Sequence, residues 1–135
     1  MAVLLRLQQI RDPHHPQTDG KWFARAVHVG TTHTNSIAEM MQANCTLKKS
    51  DILAVICELT ETIKHELNES RSVHLDGLGT FKMCISSNAV EHREDFSLDN
   101  DVRSVRISFT PERHLDAYGQ SHWFLTDDAK MAMLK

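Results

Sequence analysis

Positive charge is in short supply in this chain: 15 Lys and Arg stand against 18 Asp and Glu, a net charge of −3. Non-specific affinity for nucleic acid comes mainly from Lys and Arg neutralising phosphates, so any such contact here must rest on local charge. Long apolar runs are missing too, and none approaches the roughly 18 residues needed to span a bilayer, so no membrane association is expected. The first residues, Met1 to Gln8, have no basic leader and no small-residue cleavage site, which argues against a secretory signal and makes the cytoplasm the expected compartment. Cysteine is sparse and odd in number: Cys45, Cys57 and Cys84 have no paired spacing. Buried or half-buried reduced thiols are the expectation. The nine histidines do not gather at metal-ligand spacing, so neither a metal nor any other cofactor is expected. No phosphate loop is present, since Gly77-Leu78-Gly79 lacks the downstream glycine, lysine and helix start such a loop needs. Asp76 beside it reads as a turn residue rather than a base. Nothing points to an enzyme or to a small-molecule substrate.

What the chain does have is a long amphipathic stretch at residues 50–68. Ile52, Leu53, Val55, Ile56, Leu59, Ile63 and Leu67 recur at three- and four-residue spacing, which places them on one helix face. Asp51, Glu58, Glu61, Lys64 and Glu66 fall mostly on the other side. Roughly 19 residues at about 1.5 Å each give a helix of about 28 Å, long for a chain of 135 residues. Ala54, Cys57 and Thr60 widen the stripe further. One short helix and a thin sheet cannot cover so much apolar surface, so a second copy of the chain is expected to pack on it. Leu53, Ile56, Leu59, Ile63 and Phe81 are the expected interface. After the helix, Val73 and Leu75 alternate with His74 in a strand, Gly77 and Gly79 bracket a tight turn, and Thr80, Phe81, Met83 and Ile85 begin the return strand.

Two further strands are expected at residues 2–10 and 21–29, joined by a polar loop broken by Pro13, Pro16 and Gly20. In the second, Trp22, Ala24 and Ala26 share one face, and Phe23, Arg25 and Val27 the other. They form a hairpin that covers a sheet edge or contributes to oligomer contacts. Ser36 and Glu39 have the spacing of a capping box for a short helix over residues 37–44, with Ile37, Met40 and Met41 inward. A helix-turn-helix reader is the alternative for the two helices, but the second is too long and apolar to lie in a groove. Residues 102–109 alternate as a strand with Val105, Ile107 and Phe109 inward. Thr110 is placed to cap a helix with Pro111 at its first position, ended by Gly119. Beyond it come a strand at residues 122–125, with Trp123 and Phe124 packing on the added hairpin, and a helical end at Met131, Met133 and Leu134.

The Gly77-Leu78-Gly79-Thr80-Phe81 turn after a long helix resembles the G-F-G-x-F turn of the HU and integration host factor family of bacterial DNA-bending proteins. Phe109-Thr110-Pro111-Glu112-Arg113-His114-Leu115 resembles that family's F-x-P-x-K-x-L segment. The resemblance covers residues 34–119, and the preceding hairpin resembles the N-terminal extension of an HU-like variant family common in Bacteroidales. It implies an α+β HU-like fold: a helical hairpin, an antiparallel sheet with a shortened arm, an extra N-terminal hairpin, and an intertwined homodimer. The chain is then a single HU-like domain over residues 1–135, with the hairpin at 1–29, the core at 34–119 and a tail at 120–135.

The family's arm is rich in Arg and Lys and carries a proline that wedges between base pairs. Residues 86–103 hold Glu91, Glu94, Asp95, Asp99 and Asp101 against Arg93 and Arg103, and no proline. Phe96 and Leu98 are there either as wedges or, as the simpler reading has it, as anchors tucking the loop back. Two functions follow. In the first, a homodimer of nucleoid-associated, architectural character binds duplex DNA with little base preference through Lys82, Arg93, Arg103, Arg106 and Arg113, with Lys48 and Lys49 at the start of the long helix as secondary contacts. Of these, Arg113 falls at the position of the family's helix-start lysine. In the second, an HU-fold dimer has lost arm-based DNA binding and serves as a structural or protein-interaction module.

Overall fold

The computed structural model describes residues 2–134. In chain order the elements are strands β1 (Val3–Gln9) and β2 (Trp22–Ala26), helices α1 (Thr34–Asn44) and α2 (Lys49–Asn68), and strands β3 (Val73–Leu75) and β4 (Gly79–Ser87). A 3₁₀ turn at Arg93–Asp95 and the single-turn helix α3 (Leu98–Asp101) follow. Strands β5 (Val102–Pro111), β6 (Arg113–Leu115) and β7 (Ser121–Trp123), a 3₁₀ turn at Phe124–Thr126 and strand β8 (Met131–Met133) complete the chain. They fall into two compact units, Met1–Ile37 with Asp128–Lys135, and Ala38–Asp127.

The first unit is a three-stranded sheet in the order β2-β1-β8. Antiparallel pairing of β1 and β2 sets Leu5 opposite Ala26, Arg6 opposite Arg25, Leu7 opposite Ala24 and Gln9 opposite Trp22. The expected two-faced hairpin is therefore present. Asp12 organises its loop: one carboxylate oxygen accepts the His14 backbone N–H at 3.0 Å and the other lies 2.6 Å from His15 Nδ1. Residues 131–133 are not a helical end. They form a strand parallel to β1, with Val3 opposite Met131 and Leu5 opposite Met133. The open edge of β1 offers backbone partners along its whole length, and that outweighs the helical preference of methionine.

The helix α1, most of which lies in the second unit, begins earlier than the sequence pattern implies, with the Ile37 N–H already donating to the His33 carbonyl. Ser36 is thus inside the helix and does not cap it. Glu39 pairs instead with Lys49, Nζ to Oε1 2.8 Å. The inward residue of α1 is Ala38, fully buried, while Ile37, Met40 and Met41 are exposed. The helix α2 spans 20 residues, about 30 Å, and buries Ile52 and Leu67. Ser70 turns the chain off its end in a left-handed conformation, φ 62°.

Strands β3, β4 and β5 form an antiparallel sheet in that order. The turn between β3 and β4 is closed by the Leu78 N–H on the Leu75 carbonyl, 3.0 Å, and uses Gly77 at φ 79° and Gly79 at φ 148°. Register places Phe81 opposite Phe109, Met83 opposite Ile107 and Ile85 opposite Val105 on one face of the β4–β5 ladder. The Phe81 and Phe109 rings are 4.9 Å apart. The helix α2 meets this face along Ile63 and Leu67, leaving an open apolar groove of about 270 Å³ beside Phe81, Met83 and Ile107. Much of the apolar surface stays uncovered within one chain: Leu59 is 39% exposed, Ile107 51% and Val105 57%.

The segment after β5 departs from expectation. Pro111 is the last residue of β5, and no helix follows it. Arg113–Leu115 pairs antiparallel with Ser121–Trp123, with His114 opposite His122. Gly119 (φ 78°) serves the turn between them rather than a helix stop. Asp116 holds that turn, accepting the Tyr118 and Gln120 N–H groups on one oxygen at 2.8 Å each, with His122 Nε2 2.9 Å from the other. Trp123 and Phe124 find partners within this unit. The Arg113 guanidinium lies over the Trp123 ring, and Phe124 packs edge-on to His114.

Candidate nucleic-acid interface

The β4–β5 ladder has two chemically different faces because side chains alternate along each strand. Opposite the apolar face lie Thr80, Lys82, Cys84 and Ser86 of β4 and Ser104, Arg106, Ser108 and Thr110 of β5. Lys82 faces Ser108 and Arg106 faces Cys84. The two cations are therefore diagonal neighbours, about 7–8 Å apart along the sheet. Among the described residues, neither has a carboxylate within ion-pair distance. Arg103 lies beside the register shift at the far end of the ladder, its Nη2 3.4 Å from the Ser86 hydroxyl.

The other expected contacts are dispersed. Arg93 stands in the 3₁₀ turn of the connection between β4 and β5, next to Glu94 and Asp95. Arg113 occupies the first position of β6 rather than of a helix, 3.9 Å from the Trp123 ring centroid, a cation–π geometry that fixes its guanidinium. Lys49 is committed to Glu39 by its side chain and to the Gln42 amide oxygen by its backbone N–H. Hydrogen bonding and charge from Lys49 hold the Glu39 carboxyl below its ordinary value. Lys48 precedes α2, and its N–H donates to the Asp51 carboxylate at 3.3 Å. The chain therefore brings together Lys82, Arg103 and Arg106 on one ladder and distributes Arg93, Arg113, Lys48 and Lys49 elsewhere.

The connection itself is no extended ribbon. β4 ends at Ser87 and β5 starts at Val102, and α3 folds the end of the loop back. The Ser97 N–H donates to the Asp101 carboxylate at 2.8 Å, and the Asn88 N–H to the Asp101 carbonyl at 2.7 Å. Leu98 is 77% exposed and does not anchor the loop, whereas Phe96 is 39% exposed and mostly covered. Cys45 and Cys57 are exposed as well, against the expectation of covered thiols, and Cys84 is half-buried.

The sequence pattern missed a set of histidine–carboxylate pairs around β6 and β7. His74 Nε2 meets the Glu112 carboxylate, His114 Nε2 lies 3.2 Å from Asp127, and His122 pairs with Asp116. Backbone donation from Gln120, then the hydrogen bond from His122, lowers the Asp116 carboxyl below its ordinary value. The alternation Arg113-His114-Leu115 against Ser121-His122-Trp123, about a glycine-containing turn, is the signal that announces this hairpin.

Comparison with known proteins bears on this geometry. A crystal structure of a candidate DNA-binding protein from Bacteroides vulgatus ATCC 8482 superposes with a TM-score of 0.65 at 13% identity, over 98% of this chain and 48% of that one. The chain therefore spans about half the length of that protein, and the likeness is one of fold. No curated protein matches. The sequence itself matches the family described as an HU domain fused to wHTH, Ig, or Glycine-rich motif over residues 1–122. The match runs from the added hairpin through the glycine turn and the long ladder into β7, and on that span the chain belongs to the HU-HIG family.

Proposed function

We propose that the protein is an HU-type homodimer that binds duplex DNA through backbone phosphates, with little base preference and an architectural role in the nucleoid. The observation that carries this reading is the two-faced β4–β5 ladder. Its apolar face, with Phe81, Met83, Ile107 and Phe109, is left open together with Leu59 and part of α2. A second copy covering this surface through Leu53, Ile56, Leu59, Ile63 and Phe81 removes it from water at about 25 cal/mol per Å². The opposite face then presents Lys82 and Arg106, free of carboxylate partners among the described residues, to phosphates.

The acidic connection supports a second reading, a dimeric interaction module without DNA binding. Glu91, Glu94, Asp95, Asp99 and Asp101 stand where a basic arm would approach the duplex, and like charge repels it. Titration of a fluorescent 30-base-pair duplex separates the two. The first reading expects micromolar or tighter affinity at low salt, falling steeply as salt rises, and weaker binding for the Lys82→Gln/Arg106→Gln variant. Absence of binding at low salt favours the second.

A further inference from the structure

Charge in this chain is segregated by unit. Residues 1–37 and 128–135 hold six Lys and Arg against three Asp and Glu, a net +3, whereas residues 38–127 hold nine against fifteen, a net −6. The acidic character of the whole chain thus hides a basic part, and that part is the three-stranded sheet built around the added hairpin.

Among the described residues, two of these cations, Arg6 and Arg25, lie within the strands and share one face of the sheet. Arg6 on β1 and Arg25 on β2 are directly opposite in the antiparallel register, so their side chains leave the same face with Cβ atoms about 5 Å apart. Like charges in that position are unfavourable in a sheet unless an anion lies over them. Both residues are exposed, and among the described residues neither has a carboxylate partner. The Gln8 side-chain oxygen is 3.4 Å from Arg25 Nη1. Phe23, exposed and opposite Gln8, lies on the same face, as do Leu4 and Ala132. The other face is mostly apolar, with Val3, Leu5, Leu7, Trp22, Met131 and Met133 beside Gln9.

We infer that the Arg6–Arg25 face is a phosphate-binding surface that takes the backbone of duplex DNA, in addition to the β4–β5 ladder. Two guanidiniums side by side on a rigid ribbon present paired donors that match phosphate oxygens. The inference rests on the DNA-binding reading above and moves part of its electrostatics from the acidic second unit to the first.

The test uses the full chain and a 30-base-pair duplex, with affinity measured between 50 and 200 mM salt. Replacing both residues in Arg6→Gln/Arg25→Gln is expected to weaken binding at least about tenfold at 50 mM and to flatten the slope of log K against log salt by about 1.8, two phosphate contacts at about 0.9 each. The thermal midpoint of the free protein is expected to hold or rise, because a repulsion is removed. Should that variant fold poorly, Arg25→Gln alone is expected to lower the slope by about 0.9, and Arg6→Lys/Arg25→Lys to keep the wild-type slope. Wild-type binding with no change in either glutamine variant overturns this inference and leaves the DNA-binding reading standing. A change in sedimentation of the double variant without a change in DNA affinity also overturns it, in favour of contact with a second copy. No wild-type binding at all removes both.

Discussion

Gly79 sits against the backbone of Thr110: a Cβ at this position would lie 2.3 Å from the Thr110 carbonyl oxygen and 2.9 Å from the Pro111 Cα. The approach joins the start of β4 to the end of β5, and it works only because the side chain is a hydrogen atom at φ 148°. Steric overlap with backbone has no rotamer to escape into. Gly79→Ala is expected to cost about 3 kcal/mol or more, read as a drop in the urea midpoint with little change in slope. Gly30, which has open space around it, provides the control: Gly30→Ala is expected to stay within about 0.5 kcal/mol of wild type.

The uncovered face of α2 makes a prediction about assembly. Leu59 points from the middle of the helix and is more than a third exposed in one chain. If a second copy covers it, a carboxylate there is buried in the interface without a partner, at a cost of several kcal/mol. Leu59→Asp is expected to convert a dimer at tens of micromolar to a monomer in sedimentation equilibrium. Glu58→Gln, one residue along and on the polar side, is expected to leave the dimer intact. A monomeric wild-type protein at that concentration defeats the dimer proposal outright.

Acid sensitivity follows from Asp116. Its folded-state pKa lies below the ordinary 3.8, because backbone donors and His122 favour the charged form. In the folded state the group resists protonation that the unfolded chain accepts, so its contribution is present above about pH 4 and fades as pH falls through the lowered value. Asp116→Asn is expected to reduce stability at pH 7 and to flatten the decline between pH 4 and 3. Urea midpoints at pH 7, 5, 4 and 3 measure both effects. Parallel curves for variant and wild type count against the role of Asp116 in holding the β6–β7 turn.

The same turn shows where sequence reading reaches its limit. The long helix was legible because its seven apolar positions repeat at helical spacing, and the Gly77–Gly79 turn because only unusual backbone angles fit there. Both signals are local. The Thr110–Pro111 pair gives an equally clear local signal for a helix start, and the chain ignores it. Strand β5 continues through Pro111 because Gly79 pairs with it, and Arg113–Leu115 then finds Ser121–Trp123. Met131–Met133 likewise takes its form from a partner more than a hundred residues earlier in the chain. Within the candidate interface, Lys82 and Arg106 were both expected contacts, and the alternation of β4 and β5 places them on one face. The cross-strand meeting of Arg6 and Arg25 depends on the hairpin register, which the polar loop between the strands does not reveal.

The acidic connection between β4 and β5 gives the sharpest test of how this chain meets DNA. Asp101 has a structural task, since its carboxylate accepts the Ser97 N–H, and it is left in place. Glu91, Glu94, Asp95 and Asp99 are exposed and have no cationic partner among the described residues. Their charge repels phosphate over about a Debye length, about 10 Å at 0.1 M salt. A variant carrying Glu91→Gln, Glu94→Gln, Asp95→Asn and Asp99→Asn is expected to fold normally and to bind the duplex at least about tenfold more tightly at 50 mM salt. The gain is expected to shrink by 200 mM, because screening weakens the repulsion that was removed. An unchanged affinity at both salt concentrations means that the connection does not approach the duplex, and leaves the ladder and the N-terminal sheet as the contact surfaces.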